Sequence, residues 1–158
     1  MVLTMRWTMP FVTAALLGLP LPTSADSPAQ ELAHAEATWK AHKPSAYEFT
    51  VDVQCYCPLA DAAPTFRVRN GAAAPVRPLD ARVRRTYDDF STVEKLFAVL
   101  RRHLARSPFK VAIQYDKTLG YPVSAEIDGR QDVTDDGLSF HVTGFRAVQA
   151  REPAASTR

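Results

Sequence analysis

The sequence has little excess charge of either sign. Its 158 residues include 19 lysines and arginines against 17 aspartates and glutamates, which gives a formal net charge of +2. Nucleic-acid binding normally depends on a concentrated positive excess, because its affinity comes largely from counterion release. The near balance of charge therefore argues against a nucleic-acid partner. A chain of this length fits one domain.

The sequence also lacks the motifs that carry common catalytic and metal chemistry. It contains no GxSxG nucleophile elbow, no HExxH pair and no glycine-rich phosphate loop, and only 6 of its residues are glycine. Its 4 histidines are scattered singly, and the aspartates between positions 128 and 136 miss the spacing of a calcium loop. We therefore expect no catalytic residues, no cofactor and no metal site, which favours a non-enzymatic role.

The first 25 residues differ in character from the rest of the chain. Arg6 is their only charged side chain, an apolar run covers residues 11–19, and small residues occupy positions 23–25. A membrane-spanning helix needs about 20 continuous apolar residues, and prolines interrupt this run. We expect a signal peptide over 1–25, a periplasmic or secreted mature protein, and no membrane insertion after cleavage. No cysteine precedes Cys55, so no lipid attachment is expected.

Periodicity in the remaining sequence predicts helices and strands grouped by type. Apolar residues at helical spacing predict helices over 28–42 and 91–105. Alternating apolar and polar residues predict about three strands between these helices and about three after them. Strands grouped in this way favour an antiparallel sheet. We expect a single α+β domain over 26–150, with five to six strands, two helices packed on one face, and a disordered tail at 151–158.

The first strand is the clearest. From Tyr47 to Cys57 the odd-numbered residues are apolar or cysteine, whereas Glu48 and Asp52 belong to the alternate set. Because successive side chains of a strand point to opposite faces, this pattern predicts one buried face and one face in water. Glu48 is therefore expected on the solvent side.

Three local signals predict turns, caps and a bulge. Asn70-Gly71 is typical of a type I′ hairpin turn, whose two central residues need positive φ. Ser91 followed three residues later by Glu94 predicts a capping box at the start of the second helix. Gly144 interrupts the alternation of the last strand, which predicts a β-bulge there.

Several of these residues form an ordered set of short motifs. In chain order the set is Tyr47-Glu48-Phe49, Cys55-Tyr56-Cys57, Leu96-Phe97, Tyr115-Asp116, Gly120-Tyr121-Pro122, Asp128 and Asp135-Asp136. The set resembles a bacterial family of small exported proteins and lipoproteins, domain-of-unknown-function family 6174, and the match covers about residues 39–145. The resemblance implies an exported single-domain protein and brings no activity with it. Many family members look like lipoproteins, whereas this sequence lacks a lipid-attachment cysteine.

Cys55 and Cys57 form the only arrangement that could carry chemistry. Two residues apart on an extended strand, their Cα atoms would lie about 6.6 Å apart, the outer limit for a disulfide. An oxidising compartment favours the bond, although so small a ring is strained and more easily reduced. A structural disulfide is the favoured interpretation, and a redox pair, buried thiols and a metal site are the alternatives.

These observations lead to two hypotheses for function. The first is an exported, non-enzymatic binding or structural module with an envelope or extracellular protein partner. The alternative is a thiol-redox or metal-handling envelope protein that uses Cys55 and Cys57.

Overall fold

The computed structural model describes residues 26–54, 62–131 and 137–149, which form an α+β fold. The helices are α1 (Pro28–His42), α2 (Ala81–Tyr87) and α3 (Val93–Leu104), with a short 3-10 turn at Asp88–Phe90. The strands are β1 (Ala46–Gln54), β2 (Thr65–Arg69), β3 (Ala72–Pro75), β4 (Lys110–Tyr115), β5 (Pro122–Asp128) and β6 (Leu138–Ala147). They form one antiparallel sheet, as the grouped strands predicted, and the order of its strands is β3-β2-β1-β6-β5-β4.

Three sequence-based predictions lie outside the described residues. They are the signal peptide over 1–25, the pairing of Cys55 with Cys57, and the tail at 151–158. Within the described part of the chain, no helix is long and apolar enough to cross a membrane.

The core is one cluster, to which all three helices and one face of the sheet contribute. Trp39 of α1 and Leu96 of α3 are completely buried, as are Phe49, Val51 and Phe140 of the sheet. Removing this apolar surface from water is the main force that holds the helices on the strands. The apolar face of β1 is therefore the buried one, as its alternating sequence predicted.

The predicted helix over 28–42 is confirmed, and its start has a clear cause. The Ser27 hydroxyl accepts a hydrogen bond from the backbone N–H of Gln30, and the Gln30 side chain accepts one from the backbone N–H of Ser27. Pro28 occupies the first turn, where its missing N–H costs nothing. This reciprocal capping box fixes the first turn of α1.

The second predicted helix is confirmed, but its predicted cap is wrong. Thr92, not Ser91, precedes α3 in an extended conformation, and its hydroxyl accepts a 3.1 Å hydrogen bond from the N–H of Lys95. Ser91 has helical backbone angles, and its hydroxyl donates to the Asp88 carbonyl at 2.7 Å. Glu94 is consequently not part of a capping box and makes other contacts.

The expected number of helices is also wrong, because α2 adds a third. Its N-cap is Asp80, whose carboxylate accepts hydrogen bonds from the N–H groups of Arg82 and Val83. Val83 and Tyr87 are one turn apart and both buried. The sequence does not predict α2, because the apolar stripe of a seven-residue helix rich in arginine is too short to distinguish it from a polar connection.

Two glycine-dependent predictions are confirmed. Asn70 and Gly71 both have positive φ, 49° and 80°, and connect β2 to β3 as a hairpin. Gly144 has a φ of 61°, and the register between β1 and β6 shifts by one residue at this point, which is a β-bulge. The strand that carries Pro75 is short and lies at the sheet edge, where a missing N–H is tolerated.

Candidate functional site

Several of the family-motif residues gather around Trp39. The Trp39 and Tyr47 rings meet edge to face with centroids 5.2 Å apart, and Tyr121 contacts Trp39 at 6.4 Å. Phe145 stacks on Tyr121 at 4.3 Å and on Tyr47 at 5.4 Å. Trp39 and Tyr47 are buried, so this aromatic cluster is part of the core. Its contacts attach α1 to the sheet.

Two of the motif residues, Asp116 and Gly120, have structural roles in the loop between β4 and β5. The Asp116 carboxylate accepts hydrogen bonds from the N–H groups of Thr118 and Leu119, and its carbonyl accepts one from Gly120. Gly120 has a φ of 80°, and a Cβ there would lie 2.5 Å from the Ala35 carbonyl oxygen of α1. Glycine is required because of both the backbone angle and the close approach of the helix. This motif therefore shapes the loop against α1.

Glu94 is a half-buried carboxylate at the edge of the aromatic cluster. It accepts hydrogen bonds from the Trp39 Nε1 (3.1 Å), the Lys43 Nζ (2.8 Å) and the Tyr47 hydroxyl (3.2 Å). Burial alone would raise the pKa of Glu94, but the hydrogen bonds from Lys43 and Trp39 bring it below its usual value. Three donors from this chain occupy the carboxylate, so its role is to hold α1, β1 and α3 together.

The remaining motif positions are spread through the fold. Phe49 is buried in the core, Pro122 begins β5, and Asp128 ends β5 with its carboxylate 3.9 Å from the Lys110 Nζ. Tyr115 ends β4, and its buried hydroxyl has no hydrogen-bond partner among the described residues. Of the motif residues, Tyr47 and Tyr121 both belong to the aromatic cluster, and the Phe49 ring lies 5.9 Å from the Tyr47 ring. Asp128 lies elsewhere, at the end of β5.

A different group of residues meets on the sheet face opposite the core, which we call the open face. Glu48 of β1 lies directly opposite Arg67 of β2 and Arg146 of β6. Its Oε1 accepts a hydrogen bond from the Arg67 Nε, and its Oε2 accepts bonds from the Arg146 Nε (3.0 Å) and Nη2. The three side chains form a row across three adjacent strands.

The bulge at Gly144 is what places Arg146 in this row. If the register of the pairs from Thr50 onward continued unchanged, Glu48 would lie opposite Phe145. The extra residue in β6 places Arg146 opposite Glu48 instead. The same shift leaves Phe145 in contact with Tyr121 and Tyr47 on the core side. One inserted residue thus selects both the aromatic contact within the core and the charged contact on the open face.

Glu48 was expected in water, and this expectation is wrong. Its side chain does point to the open face but is only 2% exposed, because the side chains of Arg67 and Arg146 cover it. The arginine side chains themselves are 42% and 69% exposed. Hydrogen bonds from Arg146 and Arg67 lower the pKa of Glu48 and outweigh the cost of its desolvation. The carboxylate is therefore ionised at neutral pH.

Beside this row is a concavity of about 410 Å³. Arg69, Val148 and Gln149 complete its lining together with the three residues of the row. Arg69 is exposed, and its side chain has neither a hydrogen bond nor an ion pair with the described residues. Three guanidinium groups face one carboxylate in this lining, so the concavity has a net formal charge of +2.

This arrangement is suited to binding an anion. Arg67 donates to Glu48 through its Nε alone, which leaves the outer N–H groups of that guanidinium available. Guanidinium groups bind carboxylates and phosphates through paired hydrogen bonds, and a guanidinium already fixed by a carboxylate loses less side-chain entropy on binding. The lining contains no cysteine, serine or histidine that could act as a nucleophile or a base. Among the described residues, no group of three His, Cys, Asp or Glu side chains could hold a metal ion.

Sequence reasoning missed this site for a specific reason. The partners of Glu48 lie 19 and 98 residues away along the chain, and only the strand register brings them together. The one signal in the sequence is Gly144, because the bulge that it predicts is what turns Arg146 toward Glu48.

Comparison with known proteins gives one result that identifies the chain. Neither the curated proteins nor the solved structures include a significant match. The model of one protein family, described as a family of unknown function (DUF6174), matches residues 31–147, which confirms the resemblance seen in the sequence motifs. The matched span begins in α1, ends with β6 and contains the aromatic cluster and the Glu48 row. The chain therefore belongs to the family of unknown function DUF6174.

Proposed function

We propose that this protein is an exported, non-enzymatic binding module, and that the concavity beside Glu48 binds an anionic group of its ligand. The observation that carries the proposal is the set of three arginines around one satisfied carboxylate. Arg67 and Arg146 are held by Glu48, while Arg69 has no partner among the described residues.

The contrast with other charged side chains supports this choice of site. Arg101 and Arg102 of α3 each have a carboxylate partner, Glu36 and Asp89, so their charges are neutralised within the fold. The concavity is lined by three guanidinium groups and one carboxylate, which bonds to two of them. The surplus positive charge is available to a ligand, and most of it lies on rigid sheet strands, which reduces the entropy lost on binding.

Export rests on the sequence pattern of residues 1–25. Intact-mass measurement of protein recovered from the periplasm or medium should give a chain that begins at or near Asp26. Retention of residues 1–25 would contradict export by this route. Alkylation of the same sample without reductant should find no free thiol at Cys55 or Cys57, because thiols are not kept reduced outside the cytoplasm.

Anion binding can be tested with inorganic pyrophosphate as the probe, titrated calorimetrically into the mature protein at low salt. Arg69→Gln removes the unpartnered guanidinium. Arg106→Gln is the matched control, because the Arg106 side chain is also exposed and has no partner among the described residues. It follows the C-terminal end of α3, a helix that packs against the core face of the sheet, whereas the concavity lies on the open face.

We expect the wild type and Arg106→Gln to bind pyrophosphate with similar affinity, and Arg69→Gln to bind about tenfold more weakly, as for the loss of a charge-assisted contact. Circular dichroism of each variant provides the check on folding. Equal weakening in both variants would show that only net charge matters. That result, or no binding to the wild type, would contradict the proposed site.

A further inference from the structure

The open face extends beyond the concavity, and its composition restricts the ligand. Along the described strands this face carries hydroxyl, amide, charged, histidine and alanine side chains, and none of them is aromatic. Sugar rings and nucleic-acid bases are usually held by stacking on aromatic rings. The face therefore offers hydrogen bonds and charge, but no aromatic platform for a ring.

Hydroxyl and imidazole groups border the arginines on the open face. Thr65, Thr50 and Thr143 form the next row across β2, β1 and β6, and the Thr50 and Thr65 hydroxyls are 2.7 Å apart. His141 lies opposite Asp52 in a later row. Side chains of this kind satisfy the N–H and C=O groups of a polypeptide backbone.

The spacing of the arginines matches an extended peptide. Arg67 and Arg69 lie on the same side of β2, two residues apart, which is about 6.6 Å along a strand. Acidic side chains at alternate positions of an extended peptide have the same separation, and both point to one side. Such a peptide would place one carboxylate at each arginine.

Charge is also distributed unevenly along the open face. The three arginines lie near the start of β1 and the end of β6, whereas Asp52 and Glu126 lie toward the opposite end. The Glu126 carboxylate is partly neutralised by the Lys110 Nζ at 2.7 Å. An acidic segment is therefore attracted to one end of the face and repelled from the other, which fixes where it binds.

From this geometry we infer that the ligand is an acidic segment of a partner polypeptide, extended along the open face with carboxylates at alternate positions bound by Arg67 and Arg69. This inference rests on the proposed function and names its ligand class. Arg146, held by Glu48, contributes attraction from the neighbouring strand.

The test compares three fluorescent ten-residue peptides by anisotropy against the mature protein at low salt. The first contains glutamates alternating with serines, the second has the same glutamates placed consecutively, and the third has glutamines in place of the glutamates. The first two carry the same charge, so their comparison isolates spacing from net charge. Pyrophosphate serves as the competitor.

We expect the alternating peptide to bind about tenfold more tightly than the consecutive one and the glutamine peptide to show no measurable binding. Arg69→Gln should remove most of the preference for alternation, while Arg106→Gln should keep it. Equal affinity for the two acidic peptides would overturn the inference. If pyrophosphate binds and neither acidic peptide does, the proposed anion site stands and the polypeptide ligand is wrong.

A second copy of the chain is the competing occupant, because the open face has opposite charges at its two ends. Sedimentation velocity of the wild type at low and high salt distinguishes this case. We expect a monomer at both. A dimer that dissociates with salt and is lost in Arg69→Gln would assign the face to self-association and overturn the inference.

Discussion

Replacing Glu48 by glutamine tests the charged row most sharply, because it preserves shape and removes only the charge. The carboxylate accepts hydrogen bonds from both neighbouring arginines. Glutamine retains one acceptor oxygen and presents an amide N–H₂ group to the other guanidinium, which is also a donor. One side of the row is therefore left with two donors facing each other.

The expected cost follows from the burial of the three partners. A hydrogen bond to a charged group contributes about 1.5–3 kcal/mol where it is shielded from water. Glu48 is 2% exposed, but its arginine partners are 42% and 69% exposed, and solvent reduces their contribution. We expect Glu48→Gln to lower the free energy of unfolding by about 2 kcal/mol.

Asp52→Asn is the matched control for this measurement. Asp52 lies on the same strand and the same face, and its carboxylate has no hydrogen bond or ion pair to the described residues. Its amide variant should change the free energy of unfolding by less than about 0.5 kcal/mol. Urea denaturation followed by circular dichroism measures both variants. Equal midpoints for Glu48→Gln and Asp52→Asn would refute the role given to the row.

The pH dependence of the same pair of proteins gives an independent check. The arginines lower the pKa of Glu48 in the folded state, so its stabilising contribution is complete above the unfolded pKa of about 4.3. That contribution is lost as the pH falls through the folded pKa. The difference in unfolding free energy between wild type and Glu48→Gln should therefore shrink from pH 6 to about pH 3. A constant difference would contradict the pKa shift.

Two further pairs of variants test the packing of the motif residues, both by denaturant midpoints. Gly120→Ala should lower the free energy of unfolding by more than about 3 kcal/mol, because the new Cβ would overlap the α1 backbone and the residue would keep a strained positive φ. Gly71→Ala has the same φ but open space around the new Cβ, so it should lower the free energy of unfolding by about 1 kcal/mol. Tyr47→Phe should cost about 1–2 kcal/mol, because its hydroxyl bonds to Glu94 and to a backbone N–H, whereas Tyr115→Phe should be neutral or stabilising, because that buried hydroxyl has no partner among the described residues. Costs that do not differ within either pair would contradict these contacts.

The elements that sequence reasoning predicted well are those governed by local patterns. The stripe of apolar residues in α3 and the alternation in β1 each report burial on one face, and both faces are as expected. The positive φ of Gly71 follows from its place after asparagine in a hairpin turn, and the bulge at Gly144 follows from a glycine that interrupts a strand. These features depend on neighbours in sequence, which the sequence shows directly.

The errors arise where tertiary contacts decide between local alternatives. Ser91 and Thr92 are both good N-cap residues, and the 3-10 turn that precedes them engages Ser91 and leaves the cap to Thr92. Glu48 has the polar character of a solvent-facing residue, and only the pairing of β1 with β2 and β6 shows that two arginines cover it. The candidate site depends entirely on that pairing.

The central claim, that the arginines beside Glu48 bind an acidic ligand, is tested most directly by NMR of arginine Nε–Hε groups during titration with the alternating glutamate peptide. We predict progressive, saturable shifts for Arg67, Arg69 and Arg146, with Arg106 unchanged. Shifts of similar size at all four arginines, or at none, would contradict the claim.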